Sequence, residues 1–121
     1  MTDDTSLALI VEDDPDLAEI FSEALRWAGF QVEALGNGAD ALNRLKVIVP
    51  SVVVLDMHLP GVSGVEILRQ LRADARLEQT RVIASTADAR LAETLEETAD
   101  LVLVKPISFT QLRDLAVRLK R

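Results

Sequence analysis

Val52-Val53-Val54-Leu55-Asp56 is the stretch that decides how the rest of the chain is read. Four consecutive apolar residues, three of them β-branched, leave no polar face, so a strand built from them is covered on both sides. Such a strand belongs in the middle of a parallel sheet, and its carboxyl end carries a carboxylate. Upstream, Leu7-Ala8-Leu9-Ile10-Val11 repeats the pattern and stops on Glu12-Asp13-Asp14. Phe30 to Leu35, Arg81 to Ser85 and Leu101 to Val104 supply three further strands.

Helical periodicity fills the intervals. Leu17, Ile20, Phe21, Ala24 and Leu25 fall on one stripe and predict a helix stopped by Gly29. After the turn Gly36-Asn37-Gly38, a short helix carries Ala41, Leu42 and Leu45 and ends before Pro50. The loop from Met57 to Gly64 leads into a helix with Val65, Leu68 and Leu71. A fourth helix spans Ala89 to Ala99, with Leu91 and Leu95 inward. Ser108, with Gln111 three residues on, forms a capping box for the last helix, whose stripe is Phe109, Leu112, Leu115, Ala116 and Leu119.

Five strands alternating with five helices predict one doubly wound α/β domain, (βα)5, with a five-stranded parallel sheet in the flavodoxin-like order 2-1-3-4-5. The domain is expected to fill residues 1–121, with a core over about 7–119 and no linker, repeat or output domain. Apolar residues make up 49% of the chain, enough to fill such a core. The net charge of -7 argues against gripping nucleic acid or an anionic membrane through a general basic field. With no cysteine, disulfides, thiolate metal sites and a Cys nucleophile are excluded. The start, Met1-Thr2-Asp3-Asp4-Thr5-Ser6, is the reverse of a signal peptide, and the longest apolar stretch, Val47 to Leu55, is too short to span a bilayer and is broken by Pro50. A soluble, cytoplasmic protein is expected.

In open α/β sheets chemistry gathers at the carboxyl ends of the strands, where the strand order reverses. Glu12-Asp13-Asp14, Asp56, Ser85-Thr86 and Lys105 would all open onto that rim. Singly, each reads as a turn, a cap or a solvated amine; together they read as one site. Carboxylates that close repel and call for a cation, and with oxygen ligands alone Mg²⁺ is the natural occupant. A carboxylate beside it is a nucleophile toward phosphorus, giving an acyl phosphate. Lys105 would neutralise a second phosphoryl oxygen and Thr86 would donate to a third, which is the apparatus that phosphoryl transfer requires.

These residues resemble the response-regulator receiver family of two-component signalling. The matching stretches are Ile10-Val11-Glu12-Asp13-Asp14-Pro15, Val54-Leu55-Asp56-Met57-His58-Leu59-Pro60-Gly61 with Gly64, Ser85-Thr86-Ala87, and Val104-Lys105-Pro106. In order they run through nearly the whole chain, from Leu7 to Leu119. The resemblance implies that Asp56 is the phosphoacceptor. It implies that Asp13 and Asp56 bind Mg²⁺ directly, Glu12 mainly through water, and His58 through its main-chain carbonyl. Thr86 would be the switch hydroxyl, Lys105 the ion-pair partner, and the bond from Lys105 to Pro106 cis. The donor would be a phosphohistidine on a sensor histidine kinase or a histidine phosphotransfer protein.

His58, the single histidine, stands two positions after Asp56 and is expected to be a loop residue. The alternative is that it tunes the attack of water on the acyl phosphate together with Asp88, two after Thr86. The resemblance further implies a phosphoacceptor switch and not a turnover enzyme, limited to self-catalysed phosphorylation from the donor and slow autodephosphorylation. It would act on a downstream partner or a missing output domain, as a monomer or a weak phosphorylation-dependent dimer, without itself contacting nucleic acid.

The chain also departs from the family. Val102 stands where an aromatic switch residue is frequent, and Ile107 where Phe is. The segment from Thr86 to Lys105 is short by about one helical turn, which predicts a shorter fourth helix or preceding loop. Of the charges used for dimerisation in winged-helix relatives only Asp100 remains, with Leu101, Gln111 and Leu115 at other such positions. Leu101 and Val102 are expected to be buried or to form an apolar contact. Acidic Glu93, Glu96 and Glu97 and basic Arg113, Arg118, Lys120 and Arg121 read as solvated faces, or as complementary contacts. A haloacid-dehalogenase-type phosphatase would need a second acid where His58 stands. A degenerate, docking-only receiver would not need Glu12, Asp13, Asp56, Thr86 and Lys105 together.

Overall fold

The computed structural model describes residues 6–120, with side chains as far as residue 118. The acidic stretch before Ser6, the side chains of Leu119 and Lys120, and Arg121 lie outside the described residues. Strands β1 (Leu7–Val11), β2 (Gln31–Leu35), β3 (Val52–Asp56), β4 (Arg81–Thr86) and β5 (Leu101–Val104) form one parallel sheet in the order β2-β1-β3-β4-β5. Helices α1 (Pro15–Trp27), α2 (Gly38–Leu45), α3 (Gly64–Ala73), α4 (Ala89–Leu95) and α5 (Phe109–Lys120) connect and follow them, with a 3₁₀ turn over Ala75–Leu77. This is the doubly wound order that the strand pattern predicts.

Strand alternation divides the core in two. Leu9, Val11, Val53, Leu55, Val82 and Ala84 point to one side, against Ala41, Ile67, Leu71 and Leu95 of α2, α3 and α4. Ala8, Ile10, Val52, Val54, Ile83 and Leu103 point to the other, against Phe21, Leu25, Leu112 and Ala116 of α1 and α5. A slip of one residue would exchange the two faces of a strand. Each buried aliphatic contributes about 1.5–3 kcal/mol, so the register is firmly held, and with it the direction of every residue at the rim.

Short polar residues start the helices. Asp14 accepts the N–H groups of Asp16 and Leu17, Asn37 that of Asp40, Ser63 that of Glu66, Asp88 those of Arg90 and Leu91, and Ser108 that of Gln111. Two glycines bring helix N-termini hard against the loop after β3. A Cβ on Gly64 would overlap the main chain of Asp56 and Met57, and one on Gly38 the carbonyl of Val62.

Differences from the sequence reading lie at edges. Phe30 precedes β2, because its N–H bonds Leu25 O and closes the end of α1. Thr86 belongs to β4, where it pairs with Val104. Ile20 (41% exposed) and Val65 (44% exposed) face solvent, and the buried stripe of α3 is Ile67, Leu68 and Leu71. Helix α4 ends at Leu95 and not at Ala99. Beyond it the Arg72 guanidinium donates to Thr98 O (2.8 Å), Thr80 O (3.1 Å) and Asp100 Oδ2 (2.7 Å). That same Asp100 oxygen accepts the Val82 N–H at 2.7 Å, so Asp100 is committed inside the domain. Leu101 and Val102 are half-buried, each packed against one core cluster.

Gly64→Ala is expected to lower stability by about 1–3 kcal/mol, the range for overpacking against fixed backbone. Gly36→Ala, with nothing within 4 Å of the added carbon, stays within about 0.5 kcal/mol. Urea unfolding of the two variants checks the contrast.

Candidate functional site

Of the polar residues predicted at the strand ends, Glu12, Asp13, Asp56 and Lys105 meet. Glu12 continues β1, its N–H donating to Leu35 O at 3.0 Å, and Lys105 continues β5, its N–H donating to Thr86 O at 2.8 Å. By alternation Glu12, Asp56, Ser85 and Lys105 follow the α1 and α5 face of the sheet, while Thr86 follows the opposite one. Glu12 and Asp56 are each only 3% exposed. Lys105 reaches back across β4 to both, with Nζ 3.3 Å from Glu12 Oε1 and 3.5 Å from Asp56 Oδ1. Asp13 is exposed, and one carboxylate oxygen each from Glu12, Asp13 and Asp56 lie within 4.8 Å of one another.

Burial pushes the Glu12 carboxyl up to about 7, and the charge of Asp56 adds to the rise. The Asp14 N–H, which donates to Glu12 Oε2 at 3.1 Å, and Lys105 oppose it. Three carboxylates stand against one ammonium, so negative charge is left over at a point lined by oxygen donors. A hard divalent cation fits that donor set and that charge.

Around Asp56 the loops are tied by hydrogen bonds. The His58 N–H donates to Asp56 Oδ1 at 3.1 Å. The His58 ring does not stand free in its loop: Nε2 lies 2.7 Å from Thr86 Oγ1. Thr86 is fully buried, and its hydroxyl oxygen also accepts the Asp88 N–H at 3.0 Å. The Asp88 carboxylate turns away to cap α4. The peptide bond from Lys105 to Pro106 is cis.

Two features were not legible beforehand. The His58 ring, from the loop after β3, and Thr86, the last residue of β4, lie 28 positions apart, and no local pattern announces their contact. Ser85, fully buried, has a hydroxyl with no protein partner among the described residues; its register partner is Asp56. A Ser in an otherwise apolar strand was the visible signal for it.

A family model described as "Response regulator receiver domain" matches residues 8–117. The chain is 36% identical over 104 residues to the DNA-binding response regulator MtrA of Mycolicibacterium smegmatis, covering 86% of this chain and 46% of that protein. It is 36% identical over 106 residues to the phosphate regulon transcriptional regulatory protein PhoB of Rhizobium meliloti, covering 85% and 47%. The chain thus spans about half the length of the curated relatives it matches. Among solved structures, a response regulator receiver domain from Methylobacillus flagellatus superposes with a TM-score of 0.83 at 32% identity, covering 95% of this chain and 98% of that one. No helix among the described residues is long and apolar enough to cross a membrane.

The raised Glu12 carboxyl carries a pH signature. Between the ordinary value of 4.5 and about 7 the folded chain holds a proton that the unfolded chain has released, so its stability falls as pH rises through that window. In EDTA, urea unfolding at pH 5 and pH 8 should show the wild type losing stability upward, and Glu12→Gln removing most of that decline. An equal decline in both proteins would assign it elsewhere.

Proposed function

The chain belongs to the response regulator receiver family, and on that premise we propose that Asp56 is its phosphoacceptor. The donor is a phosphohistidine on a sensor histidine kinase or a histidine phosphotransfer protein. The observation that carries this reading is the convergence of Lys105 on Asp56 and Glu12 from the far side of β4. Lys105 and the His58 N–H both engage Asp56 Oδ1, which leaves Oδ2 with no protein partner among the described residues. An Asp56 oxygen attacks phosphorus as the P–N bond of the donor breaks, and the departing imidazole keeps the electron pair.

Glu12, Asp13, Asp56 and the main-chain carbonyl of His58 would hold Mg²⁺, which supplies charge neutralisation at the phosphoryl oxygens. Lys105 neutralises another of those oxygens as a point charge, and the Thr86 hydroxyl turns to donate to a third. His58 and Asp88 flank the site from which water would attack the acyl phosphate. Asp88, engaged as a cap, does so through its place in the loop. The chain works as a switch, not a turnover catalyst.

We read residues 1–121 as one receiver domain, cytoplasmic, that acts on a downstream protein or on an output domain. Both relatives named above are regulators of about twice the length, one of them described as DNA-binding, which supports an output domain in the longer forms. The domain itself, with a net charge of -7, does not hold nucleic acid. It is a monomer or a weak phosphorylation-dependent dimer. The tie of Asp100 to Arg72 and the Val82 N–H supports leaving that residue out of a dimer contact.

Acetyl phosphate with Mg²⁺ is expected to add one phosphoryl group by intact mass, and Asp56→Asn or EDTA to abolish the adduct. Intact mass is the better readout, because Trp27 is 74% exposed at the last residue of α1, at the end of the helix away from Asp56. A wild type that gives no Mg²⁺-dependent adduct would refute the assignment of Asp56.

A further inference from the structure

We propose that His58 is a positioning residue that latches the Thr86 hydroxyl in the unphosphorylated arrangement, so that a phosphoryl group on Asp56 must compete with the imidazole for it. The inference rests on the phosphoacceptor reading of Asp56 and adds a restraint built from this chain's own histidine.

A hydroxyl has one proton to give and two lone pairs to accept with. At Thr86 the Asp88 N–H takes one lone pair at 3.0 Å. The His58 Nε2 stands 2.7 Å from the same oxygen, a short contact at a fully buried residue. In the tautomer that carries its proton on Nδ1, Nε2 is an acceptor, and it receives the one proton that Thr86 can donate. That proton goes to His58 or to a phosphoryl oxygen, never to both. In that tautomer the two arrangements exclude each other, and whatever weakens the first favours the second.

The latch also sits on a continuous path. The His58 N–H is held by Asp56 Oδ1, the ring holds Thr86, the Thr86 oxygen holds the Asp88 N–H, and the Asp88 carboxylate caps α4. Release of Thr86 removes a partner from the Asp88 N–H at the entrance of α4. A phosphoryl group is thereby coupled to the start of α4 through three hydrogen bonds, with no Phe, Tyr or Trp side chain involved.

The test titrates the chain with beryllofluoride in excess Mg²⁺ and follows the Asp88 amide by NMR. His58→Ala is expected to tighten beryllofluoride binding about two- to tenfold, the worth of one net hydrogen bond. His58→Leu, which keeps bulk without a ring nitrogen, should do the same, and if it restores wild-type affinity the effect belongs to bulk and the latch is wrong. In a Thr86→Ala background the histidine substitution should change nothing, which a merely structural histidine would not obey. Unchanged or weaker binding in His58→Ala overturns the inference, as does a tightening that persists without the Thr86 hydroxyl. A wild type that fails to bind beryllofluoride at all is a different result, and refutes the role given to Asp56.

Discussion

Glu12 and Asp56 are two nearly buried carboxylates at the ends of neighbouring strands, and one ammonium, that of Lys105, stands against both. Removing one partner of a buried charge group typically costs about 3–5 kcal/mol, so such an arrangement persists only where the surroundings hold it. Here they do. The β1–β3 register places Glu12 beside Asp56, and β5 lies two strands from β3, at a distance that an extended lysine spans. The apolar layers on the two faces of the sheet fix those registers, so the cost of the charged cluster is carried by parts of the molecule that have no chemistry to do.

Helix capping and chemistry share the same loops, and the structure separates the two uses. Asp14 and Asp88 both follow strand ends; on sequence grounds Asp14 stands with Glu12 and Asp13, and Asp88 with His58 as a residue that tunes the attack of water. Each instead turns its carboxylate onto the first N–H groups of a helix, α1 for Asp14 and α4 for Asp88. Asp13, between Glu12 and Asp14, is left exposed with its oxygen near those of Glu12 and Asp56. Gly64 makes a related contribution: without a Cβ, the N-terminus of α3 can close over the main chain of Asp56 and Met57.

The sheet was legible because β1 and β3 are apolar on both faces, the pattern of central strands in a parallel sheet covered on both sides. The strand-end polar residues were legible for the same reason, since the end of such a strand is where chemistry is exposed. What could not be read were contacts that depend on how separate segments meet. Val65 fits the helical stripe of α3 by spacing, yet the buried face of that helix is Gly64, Ile67, Leu68 and Leu71, and Val65 is left exposed. The fourth helix carries its apolar signal to Ala99, but Arg72, from α3, engages Thr98 O and Asp100 and fixes a turn there. The His58 to Thr86 contact belongs with these, being a meeting of a loop with the end of a strand.

Where an aromatic residue is frequent in relatives, this chain has Val102, half-buried and packed against the cluster beneath α2, α3 and α4. A valine has no ring to swing between interior and solvent, so a change at Thr86 has to leave by another route. Helix α4 is the element best placed to receive it. It has 7 residues, too few for its backbone hydrogen bonds to sustain it in isolation. Its start depends on Asp88, and caps of that kind are worth about 0.5–2 kcal/mol, a large share of so short a helix's stability. Its far end is held by the turn that Arg72 fixes. With one end pinned and the other hung on the residue that donates to Thr86, the proposed displacement of the threonine would become a movement of the N-terminal turn of α4, and the shortness of that helix would make the movement inexpensive.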